Sequence, residues 1–108
     1  MYSRYDEPGE RIVLISRGKL VKPVKIRGKA VLSTTKIIIS SEKNRIIIPL
    51  SEVIDAWVEG IISKKLFIES EDELFELQIS DPERWAEKIL EHRDLLDNAE
   101  KYILGLPL

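Results

Sequence analysis

Residues 24–50, VKIRGKAVLSTTKIIISSEKNRIIIPL, decide the fold of this chain. Apolar residues fall two apart at Val24, Ile26, Ala30 and Leu32, with Lys25, Arg27 and Lys29 on the opposite parity. That is the pattern of a half-buried strand with a basic outer face. Gly28 interrupts the inner row and marks a bulge or a close backbone approach. After the break at Ser-Thr-Thr come two isoleucine triplets, Ile37–Ile39 and Ile46–Ile48, separated by Ser-Ser-Glu-Lys-Asn. They read as a hairpin with Glu42-Lys43 as its two-residue loop, pairing Ile39 with Ile46, Ile38 with Ile47 and Ile37 with Ile48. Asn44 is the residue there most tolerant of a left-handed backbone. Successive strand residues point to opposite faces, so each triplet places apolar surface on both sides of the sheet. One helix covers one face. The surface left over, with Ile38 and Ile47 on it, predicts self-association or docking of a partner.

Outward from this stretch the pattern stays mainly β. Arg11–Ser16 is suited to a first strand, Arg17-Gly18-Lys19 reads as a turn, and Pro23 blocks ladder pairing at its position. Pro49 ends the fourth strand, and Leu50-Ser51-Glu52 turns the chain into Val53–Glu59. Gly60 opens a connection carrying Ile61 and Ile62, which either tuck onto the core or form an exposed apolar tip beside Lys64 and Lys65. Leu66–Ser70 and Glu73–Ser80 make a last hairpin with Phe75, Leu77 and Ile79 inward. The period then changes. Asp81 is placed to cap a helix with Pro82 in its first turn, or Ser80 and Glu83 form a capping box. Trp85, Ile89, Leu96, Ala99 and Ile103 form one apolar stripe, and Gly105 and Pro107 stop the helix. The expectation is seven short strands and one C-terminal helix in a single domain over residues 10–108, after a flexible tail at 1–9.

The 108 residues contain no cysteine and one histidine, so neither a disulfide framework nor a thiolate zinc site is expected. No apolar run approaches the roughly 20 residues of a membrane span, and MYSRYDEPGE has no signal-peptide core, which points to the cytoplasm. The Lys, Glu and Ile richness, with few Met, Asn and Gln, suits a thermophile. The net charge of −2 hides an asymmetry. Arg17, Lys19, Lys22, Lys25, Arg27 and Lys29 form an acid-free run, a solvated face or a docking patch for an anionic partner.

The layout resembles the pleckstrin-homology superfold with its GRAM-type domains. The resemblance rests on Gly28-Lys-Ala-Val-Leu-Ser-Thr-Thr-Lys-Ile-Ile-Ile, on Ile48-Pro-Leu-Ser-Glu-Val-Ile-Asp, and on a helix opening Asp-Pro-Glu-Arg-Trp. Such domains use the position matched by Trp85 to plug one end of a seven-stranded bent sheet or barrel. Within the group, Val24–Asp55 is similar to the N-terminal part of the archaeal chemotaxis adaptor family CheF. That resemblance implies an adaptor between chemotaxis response proteins and the archaellum machinery. Phosphoinositide-binding relatives hold headgroups with basic side chains around the first hairpin, where Lys19, Lys22, Lys25 and Arg27 lie.

Catalysis has no support in the pattern. His92 sits near the helix stripe without a nucleophile or orienting acid, and neither a Gly-x-Ser-x-Gly elbow nor a P-loop occurs. No cofactor, metal or small-molecule substrate is expected. Nucleic acid is disfavoured, because no aromatic platform accompanies the basic run. Two binding readings remain: a protein-interaction adaptor, and a peripheral domain at the inner membrane face holding anionic lipid headgroups through residues 17–29.

Overall fold

A computed structural model describes residues 9–103, with side chains through residue 98. Of the tail expected at residues 1–9 only Gly9 is among the described residues; the side chains of the stripe positions Ala99 and Ile103 and the helix stop at Gly105 and Pro107 lie outside them. The elements are β1 (Ile12–Lys22), β2 (Ile26–Ser33), β3 (Lys36–Ser40), β4 (Arg45–Pro49), a 3₁₀ turn (Leu50–Glu52), β5 (Val53–Glu59), β6 (Lys65–Ser70), β7 (Leu74–Ile79) and α1 (Pro82–Ile103). All strand pairs are antiparallel, in the order β4-β3-β2-β1-β7-β6-β5. The sheet is open, with β4 and β5 as its edges.

The expected turn at Arg17-Gly18-Lys19 is absent: β1 runs straight through it. Gly18 lies in the ladder opposite Gly28, flanked by the pairs Arg17–Lys29 and Lys19–Arg27. Glycine followed by cations mimics a turn in sequence, but here it allows two strands to pass with no inward side chain between them. The reversal comes later, at Pro23, which leaves Val24 and Lys25 outside β2. The second half of β1, from Gly18 to Lys22, also pairs with β7. One long strand therefore joins both halves of the sheet.

The isoleucine hairpin has the expected register, Ile37–Ile48, Ile38–Ile47 and Ile39–Ile46. The Ser41 amide donates to the Asn44 carbonyl (2.8 Å), leaving Glu42-Lys43 as the loop. Asn44 does not use a left-handed backbone. Among the described non-glycine residues only Asp81 does, at φ 53°. Its carbonyl, rather than its side chain, starts α1 by accepting from Arg84 and Trp85 at 3.1 and 3.3 Å. The alternative capping box does not form, because Glu83 is taken by Lys64 (2.6 Å).

α1 packs on β5, β6 and the 3₁₀ turn. Its Trp85 and Ile89 complete a core with Leu20, Leu32, Ile37, Leu50, Leu66 and Leu77. Phe75 and Leu77 point inward as expected, with Ile79 partly buried beside them. Arg93 of α1 donates to the carbonyl of Ile54 (2.6 Å), satisfying one acceptor of the β5 edge.

Candidate functional site

The two strands that carry the Gly18–Gly28 pair build a strongly basic surface. Arg17 and Lys29 are direct cross-strand partners, as are Lys19 and Arg27. Like charges placed opposite each other weaken a sheet. These four line one open groove of about 1210 Å³ together with Lys43 from the β3–β4 turn. Among its described lining residues Glu42 carries the only negative charge. None of the five has a carboxylate partner among the described residues, a condition they share with Arg11, Lys22, Lys25, Arg45 and Arg84, whereas Lys36, Lys64, Lys65, Lys88 and Arg93 are paired.

Gly28 shapes the floor of this groove. A β-carbon there would lie 2.0 Å from the Ser40 carbonyl oxygen and 2.9 Å from its carbon, so β3 passes closer than any side chain permits. Gly28→Ala is expected to lower stability by about 1–3 kcal/mol through overpacking. An unchanged denaturation midpoint would show that Ser40 yields freely.

The structure gathers four of the six basic residues singled out in sequence and separates two. Lys25 stands in the β1–β2 turn and lines a smaller hollow with Val24, Asn44 and Arg45. Lys22 ends β1 opposite Glu76 of β7 and lines neither. Lys43 and Arg45 were missed. The hairpin register could have found them, since it returns the β3–β4 turn to the basic end of β2.

The apolar candidates also divide. Ile15, Val31, Ile38 and Ile47 are successive partners in a row across β1, β2, β3 and β4 on the face away from the core. Ile38 is only 2% exposed, so the contact surface expected of it does not exist. It sits in the middle of the row beside the equally buried Val31, while the ends, Ile15 and Ile47, reach solvent. Ile61 and Ile62 behave differently: they form the exposed tip of the β5–β6 turn, at 93% and 100% exposure. His92 is a half-buried helix residue 3.8 Å from Glu91. The stacked pair Trp57–Phe67, ring centroids 5.7 Å apart, was not anticipated either.

Seven antiparallel strands bent about a shared β1, with one C-terminal helix packed on the second half, define a mainly β, pleckstrin-homology-like domain. Solved structures agree at the level of fold. The chain is similar to the C-terminal domain of an unknown protein from Leishmania infantum (TM-score 0.67, 10% identity, 80% of this chain and 86% of that one). It is also similar to the N-terminally truncated linker-DH/PH domains of p115-RhoGEF (TM-score 0.58, 11% identity), covering 82% of this chain and 30% of that one. No protein-family model and no curated protein matches the sequence. No helix among the described residues is long and apolar enough to cross a membrane.

Proposed function

We propose that this chain is a non-catalytic docking domain that holds an anionic partner in the groove of Arg17, Lys19, Arg27, Lys29 and Lys43. The observation that carries this reading is two adjacent cross-strand cation pairs, Arg17–Lys29 and Lys19–Arg27, with no carboxylate partner among the described residues. A sheet selected for stability alone would place carboxylates opposite those cations. Bringing an anionic group between them converts the repulsion into attraction, and a partly enclosed cation cluster raises both encounter rate and affinity. The work of such a domain is recruitment, as in an adaptor. The CheF-like segment Val24–Asp55 supports a setting in chemotaxis or motility signalling.

Charge reversal separates binding from folding. Arg27→Glu is expected to place a carboxylate opposite Lys19 and to stabilise the fold slightly, by about 0.2–1 kcal/mol. The same change, combined with Lys29→Glu, abolishes binding to a polyglutamate peptide and to phosphatidylserine vesicles. Wild-type binding to these probes weakens as salt rises. A folded double variant that binds both probes like the wild type would leave the groove as merely solvated charge.

A further inference from the structure

At the centre of the outward face of β5, β6 and β7 two aromatic rings meet. Ala56, Leu66 and Ile68 turn into the core, so Trp57 and Phe67, on the opposite parity, point away from it. The rings stack with centroids 5.7 Å apart at 11°, and both side chains stay half-buried. The Trp57 indole N–H donates to Glu59 (2.7 Å), which fixes the plane of the ring. β5 is an edge of the sheet, so Phe67 covers one face of the indole and no strand lies beside the other. Leu74 of β7, 46% exposed, continues the apolar surface in the next row.

The charges around this stack are the reverse of those in the groove. Asp55 lies directly opposite Glu69, a like-charged cross-strand pair that weakens the sheet as the cation pairs of β1 and β2 do. Asp55, Glu59 and Glu69 have no lysine or arginine partner among the described residues. Lys65, in the row beside the rings, is taken by Glu76 at 3.0 Å. β7 stands between β1 and β6, and no ion pair among the described residues joins the two surfaces within one copy. We propose that the groove of one copy docks on the Trp57–Phe67 face of another; this rests on the docking reading of the groove and names its partner as a second copy of the chain. Arg17 and Arg27 carry planar guanidinium groups, which bond carboxylates in a fork and lie flat on aromatic rings. The face supplies both kinds of acceptor side by side, an indole and its flanking carboxylates. Tryptophan is the strongest aromatic partner for a cation, and tryptophan and arginine are enriched among the residues that dominate interface energy. An unrelated anionic partner satisfies the groove alone, whereas a second copy satisfies groove and face with one contact. Each contact leaves a free groove at one end and a free face at the other, so association is head-to-tail and grows past a dimer.

The test compares three proteins by sedimentation velocity from micromolar to millimolar concentration: wild type, Arg27→Glu with Lys29→Glu, and Asp55→Lys with Glu69→Lys. The wild type is expected to gain mass with concentration, and added salt to reverse the gain. Each variant should weaken association about tenfold or more. Mixed in equal amounts, the two variants should form a dimer that grows no further, because one intact groove meets one intact face. The Asp55→Lys with Glu69→Lys variant should bind polyglutamate like the wild type, which shows it folded with its groove intact. Trp57→Leu should weaken association and leave polyglutamate binding unchanged. A wild type that binds polyglutamate and stays a monomer overturns the second copy as partner and leaves the groove reading standing. Association of the Asp55→Lys with Glu69→Lys variant equal to wild type, or a mixture of the two variants that stays monomeric, overturns the aromatic face as the docking site. A wild type that neither associates nor binds polyglutamate overturns the groove reading and this inference with it.

Discussion

Trp85→Ala is expected to lower stability by about 3–5 kcal/mol, the cost of removing a large aromatic from a packed interior. Trp85 is 3% exposed and lies in one cluster with Ile89, Leu50, Val53 and Ala56. It stands in the first turn of α1, where Asp81 accepts its amide, so its ring fastens the start of the helix to the open side of the sheet. Without it, the remaining α1 contacts must hold the helix over β5 and β6. Chemical denaturation reads the effect directly. A loss below about 1 kcal/mol would show that the helix docks through other residues.

Glu10→Ala is expected to cost about 2–3 kcal/mol, through lost hydrogen bonds to a charged group. Glu10 is 7% exposed. Its Oε2 accepts from the hydroxyls of Ser33 (2.6 Å) and Thr35, and its Oε1 from Lys36 Nζ at 3.2 Å. The Ser33 hydroxyl in turn accepts from the amides of Thr35 and Lys36, each at 3.1 Å. One carboxylate thus organises the β2–β3 turn and fastens the start of β1 beside it, reinforced by Thr34 and Arg11 amide bonds. Burial pushes the Glu10 carboxyl up, but the hydrogen bonds from Ser33, Thr35 and Lys36, with the Lys36 charge, together hold it below its ordinary value of 4.5. The unfolded chain therefore takes up the proton first as pH falls. The stabilisation is complete above about pH 4.5 and is lost as pH drops through the lower folded value. Glu10→Gln should flatten that part of the acid limb in a denaturation series at fixed salt. Glu83, lowered by its bond to Lys64, acts in the same direction, but this exposed pair is screened by salt far more than the buried Glu10. An acid limb identical in wild type and Glu10→Gln would exclude the cluster as its source.

The parts of the fold legible in sequence are those written in local periodicity. The isoleucine triplets fixed a register that the structure reproduces pair for pair, because only one alignment of three on three places the loop at Glu42-Lys43. Asp81-Pro82 and the spacing of Trp85 and Ile89 located the helix for the same reason. What was hidden depends on neighbours distant in the chain. Gly18 looks like a turn until Gly28 is known to lie opposite it. Ile38 looks as exposed as its cross-strand partner Ile47, yet the fold leaves it 2% exposed. Glu10 looks like one more surface acid, since its partners are more than twenty residues away. The basic run was visible as composition. That Lys22 and Lys25 leave the groove while Lys43 joins it follows from where the turns fall, which charge counting cannot show.

The unequal edges of the sheet also bear on how the chain behaves at high concentration. On the β5 side, Arg93 occupies the Ile54 carbonyl and denies it to an incoming strand. The β4 side has the more hazardous composition, three consecutive isoleucines with Ile47 partly exposed. Such a segment is the kind that seeds fibril-like stacking between chains when an edge is long and flat. Here the strand is five residues long and is bracketed by Arg45, whose charge resists stacking, and by Pro49, which cannot donate to a neighbouring ladder. The two residues that look least important to the hairpin therefore act as its gatekeepers, keeping a strand built of isoleucine from becoming a template for others.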